Sequence, residues 1–105
     1  MAQPNPPIAH MVYFTLTDNS QAECARLIAA CKTYLFDHPG VVYFSTGVRS
    51  EDFARDVNDL EYDVHLTVVF QNKAAHDAYQ IAPAHEQFIQ ECKGNWERVR
   101  VFDSV

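Results

Sequence analysis

The order of strand-like and helix-like segments is the feature that most restricts the fold of this chain. Residues 10–16, 41–48, 62–70 and 96–102 are rich in β-branched and aromatic types, and most of them alternate with the period of two that is typical of strands. Apolar residues recur at helical spacing after the first strand and again after the third. The resulting βαββαβ order predicts an α+β, ferredoxin-like domain, with a four-stranded antiparallel sheet and helices on one face.

Helix-boundary signals support the first helix. Ser20 followed by Glu23 has the spacing of a capping box, so the helix is expected to begin there. It is expected to run to about Asp37, because proline and glycine in the sequence His38-Pro39-Gly40 end a helix. Its buried face is predicted to contain Cys24, Leu27, Ile28, Cys31, Tyr34 and Leu35.

The second helical region is predicted to have two parts. Asn72 is expected to cap a short helix over residues 73–79, and Pro83 suits the first turn of a further helix. In that second part an apolar face is formed at i, i+3, i+4 and i+7 by His85, Phe88, Ile89 and Cys92.

The predicted sheet is apolar on both faces, which a sheet with helices on one face does not require. The face away from the helices includes Met11, Tyr13 and Val69. Strand two is expected to add apolar residues to both faces, with Val42 and Phe44 on one and Val41 and Tyr43 on the other. Exposed apolar patches usually mark interfaces, so we predict a homodimer in which two sheets meet face to face, with His65 in the interface.

Length and charge restrict the remaining possibilities. The 105 residues fit a single domain over residues 10–105, preceded by a flexible proline-containing arm over residues 1–9. A net charge of −6 with only eight Lys and Arg argues against binding to nucleic acid or to an anionic membrane surface. No apolar run approaches 18 residues and no signal sequence is recognisable, so a cytoplasmic location is expected.

Two main sequence blocks, supported by further segments and single residues, resemble the stress-responsive α/β-barrel (Dabb) domain family. The blocks are DAYQIAPAH at 77–85 and NWERVRVFD at 95–103, supported by His10, HPG at 38–40, Gly47 and YDVHLTVVF at 62–70. The resemblance implies a ferredoxin-like monomer whose dimer forms a barrel from two sheets. It also implies a pocket, and we expect its lining to include His10, Val12, Phe14, Leu27, Ile28, Phe88 and Trp96.

Tyr79 and His85 are the candidate catalytic residues. The resemblance implies this, because a plant polyketide cyclase of the family uses a matching Tyr and His without a cofactor. The residue pattern is compatible: His85 lies on an apolar helix face, where a dry surrounding keeps imidazole uncharged and so available as a base, and Tyr79 can donate a proton. The alternative is that His85 bridges the Pro83 turn and Tyr79 only packs. His10 is expected to line the same pocket or to bond a backbone carbonyl at the sheet end, while His38 and His76 are expected at the surface or in turns.

No cofactor or metal site is expected from the sequence. His10, His65 and His85 do not share a face, and the three cysteines have no CxxC spacing. Residues 56–59 lack the glycine and terminal glutamate of a calcium loop. Three functions stay open: a dimeric domain that binds a small apolar or phenolic molecule, a cofactor-independent cyclase-like lyase or isomerase, and a cofactor-free monooxygenase.

Overall fold

The computed structural model describes residues 5–105 and confirms the predicted ferredoxin-like fold. The four strands form one antiparallel sheet in the order β2-β3-β1-β4. The elements are β1 (Ile8–Leu16), α1 (Gln21–Leu35), β2 (Val41–Val48), β3 (Val64–Phe70), α2 (Lys73–Gln80), α3 (Pro83–Cys92) and β4 (Trp96–Ser104), with one turn of 3₁₀ helix over Lys93–Asn95. Residues 1–4 of the predicted arm lie outside the described residues.

Helix α1 begins with half of the predicted capping box. The Ser20 hydroxyl accepts a hydrogen bond from the Glu23 backbone N–H at 3.3 Å. The reciprocal partner is different, since the Ser20 N–H donates to the Asp18 carboxylate at 3.0 Å. The helix ends at Leu35, two residues before the expected end at Asp37.

One hydrogen bond and one glycine fix the turn before β2 against the start of α2. Gly40 has a φ of +87°, and a Cβ on it would lie 2.4 Å from the Cβ of Ala75. Its carbonyl accepts from the Gln71 N–H at 2.8 Å. The Asn72 side chain caps α2 as predicted by accepting from the Ala75 N–H at 3.0 Å. Glycine is therefore required where these segments meet, because both backbone conformation and space exclude a side chain.

The core lies between the sheet and the helices. Alternate residues of β1 and β3 are buried, and Cys31 and Leu35 of α1 are fully enclosed. Burial raises the pKa of the Cys31 thiol to about 12, so this side chain stays neutral and packs as a small apolar residue. Within residues 5–105, none of the helices has the length and apolar character needed to span a membrane.

A bulge in β2 changes which of its side chains face the core. Val41 pairs with Phe70, and the register then shifts by one residue before Tyr43 pairs with Val69. Val41 and Phe44 therefore both pack against the core, whereas Val41 was expected on the face with Tyr43. The extra residue in the bulge reverses the alternation, which a strict period of two does not anticipate.

The face of the sheet away from the helices, here called the open face, is partly apolar. The Tyr13 ring contacts Tyr62 and Phe102 with centroid distances of 5.0 and 5.8 Å. Arg100 crosses this face and donates to the Asp59 carboxylate at 2.7 Å. These side chains, together with Met11, line a groove of about 420 Å³.

Candidate functional site

Tyr79 lies at the centre of an aromatic cluster at one end of the sheet. Only 1% of its surface is exposed. Its ring meets Phe70, His85 and His38 edge-to-face with centroid distances of 4.9, 4.9 and 5.0 Å, and His10 at 6.0 Å. The candidate pair Tyr79 and His85 is therefore in direct contact.

The break between α2 and α3 brings this pair together. Tyr79 is in the last turn of α2 and His85 in the first turn of α3. The Ala82 N–H donates to the Tyr79 carbonyl at 3.2 Å, and Pro83 then begins the next helix. Proline lacks an N–H and fits the first turn of a helix, so α2 ends and α3 begins here. The rings of Tyr79 and His85 are thereby brought into contact.

Two polar atoms of the pair have no hydrogen-bond partner among the described residues. These atoms, Tyr79 Oη and His85 Nδ1, are both buried. Leaving a buried donor or acceptor unpaired costs about 1–3 kcal/mol. A ligand oxygen that reached both atoms would recover this cost, so the arrangement favours binding of a polar group at this point.

The surroundings set opposite roles for the two side chains. Burial lowers the pKa of His85, and nearby His10 and His38 add to this effect, so the imidazole is neutral at pH 7. Burial, with a contribution from Cys31, raises the pKa of Tyr79, so its hydroxyl keeps its proton. Tyr79 can therefore donate a hydrogen bond or proton while His85 acts as a base.

His10 belongs to the same cluster and is held by an acidic partner. It is buried, and its Nδ1 lies 2.5 Å from Oδ1 of Asp103 across the β1–β4 ladder. His10 was predicted to line the pocket with His85 or to bond a backbone carbonyl. Its hydrogen-bond partner is a side-chain carboxylate and not a backbone carbonyl. Asp103 lies one residue beyond the predicted end of β4 and was not among the predicted site residues.

His38 lies in the connection between α1 and β2, one of the two settings predicted for it, whereas His76, also expected at the surface or in a turn, lies within α2. Both are half-buried against the Tyr79 cluster. His38 Nε2 lies 2.7 Å from the Tyr34 carbonyl, which fixes its ring beside Tyr79 after α1 ends. His76 is three residues before Tyr79 on the same face of α2, and its ring lies 5.4 Å from that of His10. The i, i+3 spacing of His76 and Tyr79 is the signal that could have placed His76.

The other expected pocket residues belong to the hydrophobic core that also contains Tyr79. Val12, Phe14, Leu27 and Phe88 are buried in the core, and Ile28 and Trp96 pack against it. Phe14 lies 5.1 Å from Trp96 and 6.3 Å from Phe88 between ring centroids. The cavity beside Leu27 and Trp96 measures about 10 Å³, room for one water molecule at most. Among the aromatic residues of this set, His10 is the one whose ring contact with Tyr79 is seen within residues 5–105.

One group of potential metal ligands lies beside the pair. His10, His76 and Asp103 each offer one ligand atom, and these atoms lie within 4.8 Å of one another. His65, considered with His10 and His85 from the sequence, lies on the open face, where it hydrogen-bonds with Ser45 at 3.2 Å.

A family model decides the classification. The model of the stress responsive A/B barrel domain, Dabb, matches residues 8–105. The chain belongs to the Dabb family. This confirms the resemblance drawn from the residues around Tyr79, His85 and Trp96. No protein with a curated description matches the chain.

Solved structures of similar fold agree with the Dabb assignment. A Dabb family protein with a ferredoxin-like fold from Mesorhizobium loti is 26% identical, with 94% of this chain and 95% of that chain covered and a TM-score of 0.77. A dimeric ferredoxin-like protein of unknown function from Thermobifida fusca is 14% identical, with 100% and 95% covered and a TM-score of 0.78. A hydroxynitrile lyase from Passiflora edulis is 18% identical, with 96% and 94% covered and a TM-score of 0.75. The last two share the fold alone.

Proposed function

We propose that this Dabb domain binds a small apolar molecule whose oxygen meets Tyr79 Oη and His85 Nδ1. The observation that carries the proposal is the pair of buried polar atoms without partners on rings 4.9 Å apart. A phenolic hydroxyl that reaches both atoms can accept from Tyr79 Oη and donate to His85 Nδ1, and a carbonyl oxygen can accept from both when Nδ1 carries the proton. Edge-to-face rings around Tyr79, including Phe70 and His38, favour an aromatic ligand.

Entry of the ligand requires the two rings to separate, because Tyr79 is almost fully enclosed. The junction of α2 and α3 is the natural place for this movement. Helix α3 begins at Pro83, and its N-cap residue Ala82 provides no side-chain cap, so its first turn is held less firmly than that of α2 with its Asn72 cap. We infer that His85 moves with this turn to admit the ligand.

A thermal-shift panel of phenols and aromatic ketones tests the proposal. A ligand present at one hundred times its Kd stabilises the folded protein by about 2.7 kcal/mol, which raises the Tm of a domain this size by about 10 °C. His85→Ala is expected to lose the shift, and His65→Ala, on the opposite face of the sheet, is expected to keep it. The site is contradicted if no compound raises the Tm of the wild type, or if a compound raises the Tm of His85→Ala as much as that of the wild type.

Acid–base catalysis is the second candidate, favoured by the protonation states of the pair. A neutral His85 beside a protonated Tyr79 is the arrangement required to remove a proton next to a carbonyl and stabilise the resulting enolate. The lyase from Passiflora edulis shows that this fold can support an enzyme. Polyketide-like diketones, which carry a proton between two carbonyl groups, are suitable substrates. Turnover that survives in both Tyr79→Phe and His85→Ala excludes this chemistry. The geometry gives no separate support for a monooxygenase.

We also propose that the protein is a homodimer joined through its open faces. Tyr43 and Phe102 are about half exposed on this face, with Met11 and Tyr13 beside Phe102. The protein from Thermobifida fusca with the same fold is described as dimeric. Three buried cysteines are free, which suits a reducing compartment, and we propose the cytoplasm. Light scattering and localisation by microscopy test these two points.

A further inference from the structure

We propose that His10, His76 and Asp103 form a Zn²⁺ site at the end of the sheet beside Tyr79. Their ligand atoms lie within 4.8 Å of one another. The proposal concerns side chains that the Tyr79–His85 pair does not use, and it is independent of the ligand proposed for that pair.

The fold brings these three residues together from distant parts of the sequence. His10 in β1 and Asp103 in β4 are direct partners in the antiparallel ladder. Their side chains point to the helix side, where His10 Nδ1 lies 2.5 Å from Asp103 Oδ1. His76 in α2 lies over the same sheet end, with its ring 5.4 Å from that of His10.

The donor set suits zinc. Two imidazoles and one carboxylate are the three-ligand arrangement of catalytic zinc sites, in which water or substrate takes the fourth position. Magnesium and calcium prefer oxygen ligands, so two nitrogen donors disfavour them. With zinc–ligand distances of about 2.0–2.2 Å, tetrahedral geometry places ligand atoms about 3.4 Å apart. The His10–Asp103 contact must therefore widen by about 1 Å. The Asp103 side chain can supply this movement because it is 48% exposed on an edge strand.

Further contacts match those found around metal ligands. His76 Nδ1 lies 3.1 Å from Oδ1 of Asp77, and this bond leaves Nε2 of His76 as the coordinating atom. Zinc must displace the side-chain amide of Gln80, whose Nε2 lies 3.5 Å from that atom. Asp77 is itself held by Lys73 at 2.5 Å. The side-chain exposures rise from 7% in His10 to 18% in His76 and 48% in Asp103. The site is thus fixed at its inner end and open to an entering ion at its outer end.

Isothermal titration calorimetry of untagged, chelator-treated protein with ZnCl₂ tests the site. The expected result is one Zn²⁺ per chain, with binding weakened at least roughly tenfold in His76→Gln and in Asp103→Asn. His65→Gln, a histidine on the open face, is the matched control and is expected to bind like the wild type. MgCl₂ under the same conditions is expected to give no saturable binding.

Equal affinity in the wild type and both site variants overturns the proposal, as does Mg²⁺ binding as tight as that of Zn²⁺. Circular dichroism checks that the variants are folded. If either variant is unfolded, the wild-type ¹⁵N-histidine spectrum decides. Zn²⁺ must then shift the ring resonances of His10 and His76 and leave those of His65 in place. A spectrum in which His10 and His76 do not respond refutes the site.

Discussion

Replacing Tyr79 with phenylalanine separates the folding role of this residue from its binding role. The ring is 1% exposed and packs against Phe70, His38 and His85, and phenylalanine keeps these contacts. The hydroxyl has no partner among residues 5–105, so its removal relieves an unpaired buried polar atom worth about 1–3 kcal/mol. The void left by one oxygen offsets part of this gain. We expect ligand-free Tyr79→Phe to be more stable than the wild type by about 1 kcal/mol, which corresponds to roughly 4 °C in Tm.

The same variant is expected to lose the thermal shift that phenolic or carbonyl ligands give the wild type. Urea titrations and thermal melts, each with and without the ligand that shifts the wild type most, measure both effects. Tyr34→Phe is the control, because the Tyr34 hydroxyl lies within 3.5 Å of Gln87 at the surface and takes no part in the cluster. The reasoning is refuted if ligand-free Tyr79→Phe loses 1 kcal/mol or more, or if its ligand response is unchanged.

The dimer, the pH response and the turn at Gly40 give three further predictions. Tyr13→Glu places a charge in the open face. Light scattering should show that the mass in solution falls from about twice the 12.0 kDa chain mass to that of one chain. A variant that stays dimeric contradicts the interface. Folding lowers the pKa of His85 from its ordinary value of 6.5. Just below pH 6.5, the His85 imidazole is therefore protonated in the unfolded chain but not in the folded protein. The free energy of unfolding should therefore fall as the pH drops below about 6.5, and it should fall less steeply in His85→Gln. Urea titrations that give the same dependence of this free energy on pH in both proteins would refute the prediction. Gly40→Ala should lower the free energy of unfolding in urea titrations by about 1–3 kcal/mol, because φ is positive there and the new Cβ would lie 2.4 Å from the Cβ of Ala75. Gly94→Ala is the control and should change this free energy little, since a Cβ at Gly94 meets open space.

The fold could be predicted because its determinants are local. Strand β3 alternates without interruption, and Val64, Leu66, Val68 and Phe70, which the period of two places on one face, are all buried there. The Asn72 cap depends on residues close in sequence and was also predicted correctly. The bulge in β2 could not be predicted in this way, because its register depends on pairing with β3, which is distant in sequence.

The candidate site could be predicted only in part. Tyr79 and His85 stand in one short block, and the break at Pro83 brings them into contact. Asp103 reaches His10 only through the β1–β4 register, ninety-three residues apart in sequence. His38 approaches Tyr79 only because the Gly40 turn is packed against α2. Contacts of this kind depend on tertiary structure and leave no periodic signal in the sequence.

The nitrogen resonances of His85 test the central claim most directly. Protein labelled with ¹⁵N-histidine would be titrated with the phenol or ketone that gives the largest thermal shift. We predict that the Nδ1 resonance of His85 shifts as the ligand saturates, because this atom gains a hydrogen-bond partner, while the resonances of His65 on the open face stay in place. Saturable binding that leaves His85 Nδ1 unchanged would contradict the account.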